Sequence, residues 1–245
     1  MGFEFLFEPF ERLDESLTSL LAGAPLLAVL ALAVLMGLRH ASDPDHLVAV
    51  TSLVATSAAD VRTAARIGAW WGLGHAATLL ALGLPLIALR AHLPHALEAG
   101  AERLVGVVIV VLAARVMLRW ARGGYRVDHH RHPPAALHRH LHAGAHSHGE
   151  RPAEAVHAAL VGTLHGLAGT GAIVVLLIAA VPGQVTAVGA LLLFAPMSVL
   201  SMALFTGAFA WLFTRRLVAP MFRRVLTPLM GAFGLVFGAW YTGLG

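Results

Sequence analysis

Arg39-His40-Ala41-Ser42-Asp43-Pro44-Asp45-His46 interrupts an otherwise apolar run that extends from Ala24 to Ala55. An ionisable side chain at the centre of a bilayer costs about 2.5–3.5 kcal/mol on insertion scales, so such groups in an apolar run mark an ion or substrate path. The other acidic residues lie near a terminus or between apolar segments, which leaves Asp43 and Asp45 isolated. Two imidazoles and two carboxylates so placed read as a metal-cation site.

Composition places that stretch in a membrane protein. The 245 residues are 58% hydrophobic and 12% charged, with a mean hydropathy of +0.76, which excludes an ordinary soluble domain. The net charge is +4 and the basic residues are all arginine. They fall mainly between apolar segments, as topology and headgroup charges do, so nucleic acid is not expected as a partner. Cysteine is absent, leaving imidazole, carboxylate and backbone oxygen to hold a metal. Residues 1–23 read as an N-terminal interfacial segment. Phe3, Phe5, Phe7 and Phe10 are interleaved there with Glu4, Glu8, Glu11, Asp14 and Glu15, without the basic start of a secretory signal.

A spanning helix needs roughly 20 apolar residues. Six candidate spans follow, at about 24–55, 65–89, 101–120, 155–181, 185–212 and 225–243. The expected fold is therefore an all-α polytopic membrane protein of about six transmembrane helices. The first span is too long for a single untilted crossing and contains Pro44. Proline lacks a donor and crowds the carbonyl four residues back, that of His40. The first helix is thus predicted to break near Pro44 and release the His40 carbonyl, a discontinuity tolerated at membrane depth where backbone lines an ion site.

The organisation that follows is a first transmembrane half over 24–120, a loop over 121–154 and a second half over 155–245. Arg62 and Arg66 lie in loop 1–2. Arg122, Arg126, Arg131, Arg139 and Arg151 lie in loop 3–4, and Arg215, Arg216, Arg223 and Arg224 in loop 5–6. The opposite side has Arg12, Arg90 and Arg103. The positive-inside rule puts the arginine-rich loops in the cytoplasm and both termini outside, for a protein of a bacterial cell membrane. Met36-Gly37-Leu38-Arg39-His40-Ala41 is echoed by Val161-Gly162-Thr163-Leu164-His165-Gly166. Two three-helix halves would have inverted topology, as in many secondary transporters.

On a regular helix His40, Asp43 and His46 share one sector, and Asp45 joins them only if Pro44 breaks the helix. Imidazole with carboxylate suits Ni, Co, Zn or Mn, with imidazole favouring the first three. The plain structural alternative is a buried ion pair of Arg39 with Asp43 or Asp45 beside hydrogen-bonded histidines. His75, in Gly72-Leu73-Gly74-His75, and His165, in His165-Gly166-Leu167-Ala168-Gly169, fall in the middle of the second and fourth spans. Three spans each carrying such a histidine point to a shared site. In the fifth span, Pro196, Met197, Ser198, Ser201 and Met202 are read either as a polar kink on the same path or as ordinary packing. Loop 3–4 carries His129, His130, His132, His138, His140, His142, His146 and His148. A histidine-rich tract of this kind suits metal collection and looks flexible, having no sustained apolar face.

With these residues in hand, the chain resembles the nickel/cobalt transporter family and its shorter six-helix permease relatives. His40-x4-Asp45-His46 looks like that family's signature, Gly72-Leu73-Gly74-His75 resembles its following Leu-Gly-His motif, and His165-Gly166-Leu167-Ala168-Gly169 resembles an element of the shorter relatives. The likeness covers roughly 26–243, while Phe194-Ala195-Pro196-Met197-Ser198 departs from the Gly-Ser pattern expected there. The resemblance implies His40, Asp45 and His46 as principal ligands, Asp43 and His75 close by, and Ni²⁺ or Co²⁺ as transported substrate rather than a tightly bound cofactor. A metallochaperone or a second copy of the chain would be its protein partners. The histidine-rich loop is similar to that of exporters and the core motif to that of importers. Two other classes were weighed against transport. An intramembrane metal-dependent hydrolase would need a base or nucleophile, and no His-Glu-x-x-His, Gly-x-Ser-x-Gly or mid-membrane glutamate occurs. A metal-sensing or storage membrane protein would act through the loop.

Overall fold

The motif breaks a helix. In the computed structural model, helix α1 (Leu26–His40) stops at His40, residues 41–43 turn, and a second helical segment, α2, runs over 45–50. The model describes residues 26–43, 45–50, 60–92, 94–122, 126–132, 136–142, 152–181, 183–213, 215 and 218–243, together with positions 8, 12 and 16. Pro44 and the rest of the N-terminal segment lie outside the described residues. The expected release of the His40 carbonyl is corrected in detail, because it accepts the Asp43 N–H at 3.2 Å. The Asp43 carbonyl in turn accepts from Leu47 N at 2.9 Å and starts α2.

Helices α3 (Val61–Leu89) and α4 (His95–Ala121) follow. The Asp60 side chain accepts the Thr63 N–H at 2.7 Å, an N-cap that fixes the start of α3. After a β-hairpin come α5 (Pro152–Ala180), α6 (Gln184–Phe213), a short turn α7 (Val218–Met221) continued by a π-helical turn (Phe222–Leu226), and α8 (Thr227–Tyr241). Helices α3, α4 and α6 have 29, 27 and 30 residues and are apolar enough to cross a membrane. At about 1.5 Å per residue they exceed the roughly 30 Å hydrocarbon core. Helix α6 continues past Pro196, so the expected kink does not interrupt it.

Within the 121–154 loop, strand β1 (Arg126–His132) pairs antiparallel with β2 (Ala136–His142), and the other elements among the described residues are helical. Register places Asp128 opposite His140 and His130 opposite His138, with Arg126 opposite His142 and His132 opposite Ala136. Directly opposed residues share a face and alternate residues change face. Positions 130, 132, 138, 140 and 142 therefore fall on one face with Asp128, and His129 falls on the other. His146 and His148 lie outside the described residues.

Packing is inside-out relative to a soluble protein. Leu27, Leu35, Leu73, Leu104, Val111, Leu192, Leu204 and Val236 are exposed, whereas His40, His46, His75, His165, Ser198, Ser201 and Thr206 are buried. An apolar exterior around a polar interior is the arrangement a bilayer solvent selects. The chain is a membrane protein.

Helix α3 packs along α5 and α6, α1 along α6, and α4 along α8 and α5. The α1–α6 and α3–α5 crossings use matching contacts. The His40 ring meets Phe194 at 5.2 Å, and the His165 ring meets Trp71 at 5.8 Å. Ser201 Oγ donates to the Gly37 carbonyl at 3.0 Å, while Thr78 Oγ1 donates to the Thr163 carbonyl at 3.1 Å. A side chain at Gly37 would strike the Phe194 carbonyl, and one at Gly162 would strike the Trp71 carbonyl. Each glycine is required by the backbone approach at its crossing. Helix α1 thus stands to α6 as α5 stands to α3.

Candidate metal centre

The break gives the motif a geometry that a continuous helix could not. His40 ends α1, whereas Asp45 and His46 open α2, so donors on both sides of the interruption turn toward α3 and α5. The His40 and His46 rings lie 4.3 Å apart, and His46 and His165 are separated by the same distance. His75 is 4.9 Å from the His40 ring and 5.4 Å from that of His46. All four histidines are buried.

Two groups of potential ligands result, His40 with His46 and His75, and Asp45 with His46 and His165. Within each group, one ligand atom per residue lies within 4.8 Å of the others. The sequence-derived residues His40, Asp45, His46, His75 and His165 are therefore brought together. Asp43 stands behind His40, its Oδ2 3.0 Å from His40 Nδ1 and its Oδ1 3.3 Å from Arg39. The Arg39–Asp43 ion pair of the plain structural alternative is thus present, but it accompanies the cluster and does not replace it.

Hydrogen bonding sorts the ring nitrogens. With Asp43 accepting from His40 Nδ1–H, His40 Nε2 is left as an acceptor, and His75 Nε2 lies 2.9 Å from it as the donor. Asp45 accepts through Oδ1 from His46 Nδ1 at 3.0 Å and through Oδ2 from His165 Nε2 at 2.7 Å. This assignment leaves lone pairs on His46 Nε2 and His75 Nδ1, and both atoms are buried without a hydrogen-bond partner among the described residues. A buried acceptor left unmet costs about 1–3 kcal/mol. Two of them in one cluster, beside a carboxylate, are the donor set of a borderline-soft divalent cation.

Sequence reading did not single out Trp71 or Phe194. Trp71 is fully buried, with its ring 5.4 Å from His46, and Phe194 covers His40. Tryptophan beside Leu-Gly-His was a signal, but a tryptophan in a span reads equally as packing. Ser201 satisfies the Gly37 carbonyl and Ser198 Oγ donates to the Ala195 carbonyl at 2.7 Å, so the fifth-span hydroxyls bond backbone. Of the loop histidines, positions 129, 130, 132, 138, 140 and 142 are located by strand register alone.

Fold and cluster define a class: a helical membrane protein with a cluster of potential metal ligands between its helices. Comparison with known proteins narrows it. The chain is 29% identical over 222 residues to the urease accessory protein UreH of Bacillus sp. (strain TB-90), which covers 88% of this chain and 91% of that protein. Over 93 residues it is 34% identical to the high-affinity nickel transport protein of Cupriavidus necator, which covers 38% of this chain and 26% of that protein. No family model matches the chain, and no solved structure matches it. Both likenesses agree with the resemblance to the nickel/cobalt transporter family that the motifs of this chain carry.

Proposed function

We propose that the protein carries divalent transition-metal cations, Ni²⁺ or Co²⁺, across a bacterial cell membrane. One observation carries the reading: His40, Asp45, His46, His75 and His165, drawn from both sides of the helix break and from two further helices, form two groups of potential ligands that share His46, all buried except the partly buried Asp45. A dehydrated cation needs such a cluster to replace its water ligands, and a protein without that task gains nothing from leaving His46 Nε2 and His75 Nδ1 bare. The likeness to a high-affinity nickel transport protein agrees with it. Asp43 acts behind His40 as an orienting group, the role outer carboxylates play at histidine-metal sites.

In this reading six spans form two inverted halves, over 24–120 and 155–245, joined by the 121–154 loop. The paired contacts of His40 with Phe194 and of His165 with Trp71 support that relation. Two-fold-related halves enclosing a central site are suited to alternating access. The arginine distribution places the loop in the cytoplasm and both termini outside. There the loop histidines collect metal. No Walker motif occurs, so an ion gradient, the membrane potential or a partner supplies the energy.

The test is flux of labelled Ni²⁺ and Co²⁺ in vesicles reconstituted with the full chain. Wild type is expected to move at least one of the two, His46→Ala is expected to abolish movement, and removal of residues 128–150 is expected to leave it intact at high metal. Full-rate flux in His46→Ala would sink the assigned site.

A further inference from the structure

We infer that the centre is two overlapping metal positions used in turn, with His46 the ligand common to both. The inference rests on the transport reading and deepens it. One position is bounded by His40, His46 and His75, and the other by Asp45, His46 and His165. The two nitrogens of an imidazole point away from each other, so a single ion cannot be ligated by both. His46 Nδ1 faces Asp45, on the side of the second group. His46 Nε2 is the buried atom without a partner, and it serves the first.

A neutral imidazole carries one lone pair and one N–H. To ligate in the second position His46 moves its proton from Nδ1 to Nε2 and His165 moves its own from Nε2 to Nδ1, so His46 ligates on one side at a time and the two positions exclude each other. Two dications a few ångströms apart around one buried carboxylate would also repel strongly in a low-dielectric interior. The protein therefore holds one ion, first among three imidazoles and then between a carboxylate and two imidazoles, or the reverse. The matching contacts of the two halves put one member of an equivalent histidine pair in each position, His40 in the first and His165 in the second. Passing the ion across His46 moves it from ligands supplied by α1 and α3 to ligands supplied by α2 and α5.

The experiment is Co²⁺ binding to the purified full chain in detergent, with all eight loop histidines replaced by serine so that only the membrane site is counted. Stoichiometry is read by equilibrium dialysis and ligand field by visible absorption. The starting protein is expected to hold one Co²⁺. His40→Ala and His165→Ala are each expected to retain one, with different spectra, because carboxylate ligation survives in the first and an all-imidazole set in the second. His46→Ala is expected to lose at least 100-fold in affinity. His40→Gln and His165→Gln, nearer the imidazole in size, carry the same expectations and guard against misfolding, which size-exclusion elution reports. Two ions per chain, identical spectra from the two single variants, or a loss in either as deep as in His46→Ala would overturn the two-position reading. A starting protein that binds neither Co²⁺ nor Ni²⁺ would overturn the transport reading instead, so the two fail in distinguishable ways.

Discussion

Replacing Asp43 with alanine tests whether that carboxylate ligates the metal or holds a ligand in place. Its Oδ2 lies 3.0 Å from His40 Nδ1 and its Oδ1 3.3 Å from Arg39, so it keeps the His40 proton on Nδ1 and the lone pair on Nε2. Without it His40 is free to carry the proton on Nε2, where it opposes the cation. Loss of an outer-shell partner at a histidine-metal site costs 10- to 100-fold in affinity, or about 1.4–2.8 kcal/mol at about 1.4 kcal/mol per tenfold. Asp43→Asn keeps an oxygen that can accept from His40 Nδ1–H, so its loss should be well under that of Asp43→Ala. Arg39→Gln removes only a partly exposed pair, which is worth about 0.2–1 kcal/mol and thus at most about fivefold. Labelled-Ni²⁺ binding to purified protein in detergent measures all three. Equal losses in Asp43→Asn and Asp43→Ala would refute the orienting role and make Asp43 a ligand.

Three further outcomes follow from the same geometry. Gly162→Ala drives a methyl into the Trp71 carbonyl at the α3–α5 crossing; the expected overpacking cost is about 1–3 kcal/mol, read as a lowered Tm in detergent, and a wild-type Tm would contradict the crossing. Ser201→Ala and Thr78→Val remove matched interhelical hydrogen bonds, each worth about 0.6 and at most about 1.7 kcal/mol in a membrane. Equilibrium unfolding should show similar small losses, and a large loss in one alone would count against equivalent halves. Serine at positions 130, 132, 138, 140 and 142 together should raise the KM for metal flux severalfold with maximal flux unchanged, whereas His129→Ser, on the opposite hairpin face, should change neither. A His129 effect as large as that of the five-residue variant would remove the role of the face.

Much of the bundle was legible because bilayer physics writes itself into composition. The apolar runs located the helices, and Pro44 announced the break. Helix ends were less legible. The fourth helix of the chain begins at His95, a turn and more ahead of its apolar run, because a helix extends into the polar interface where hydropathy falls. Asp60 gave a cap signal that hydropathy alone passes over. His75 and His165 could be named as candidates, yet nothing local shows that Asp45 lies 2.7 Å from His165; that meeting depends on how α1, α3 and α5 cross. The hairpin was hidden for another reason. A strand of histidine and arginine has no alternating apolar face, and its order comes from cross-strand pairing.

The matched halves are alike in packing and unlike in chemistry, and the helix break accounts for the difference. In the second half the position in register with Asp45 is Thr170, a buried hydroxyl that donates to the Gly166 carbonyl of its own helix at 2.5 Å, and α5 runs on without interruption. An unbroken helix there offers one ligand, His165. In the first half the turn at 41–43 lets His40, Asp45 and His46 all reach the cluster, although on a continuous helix Asp45 would face about 100° away from His46. The two crossings are thus alike in packing, and the break loads one of them with the carboxylate and the additional imidazole. A fully symmetric pair would have placed two buried carboxylates side by side, which repel when both are ionised. One broken and one continuous helix give a single negative charge and an imidazole-rich shell, a charge balance suited to a dication that must bind and then leave.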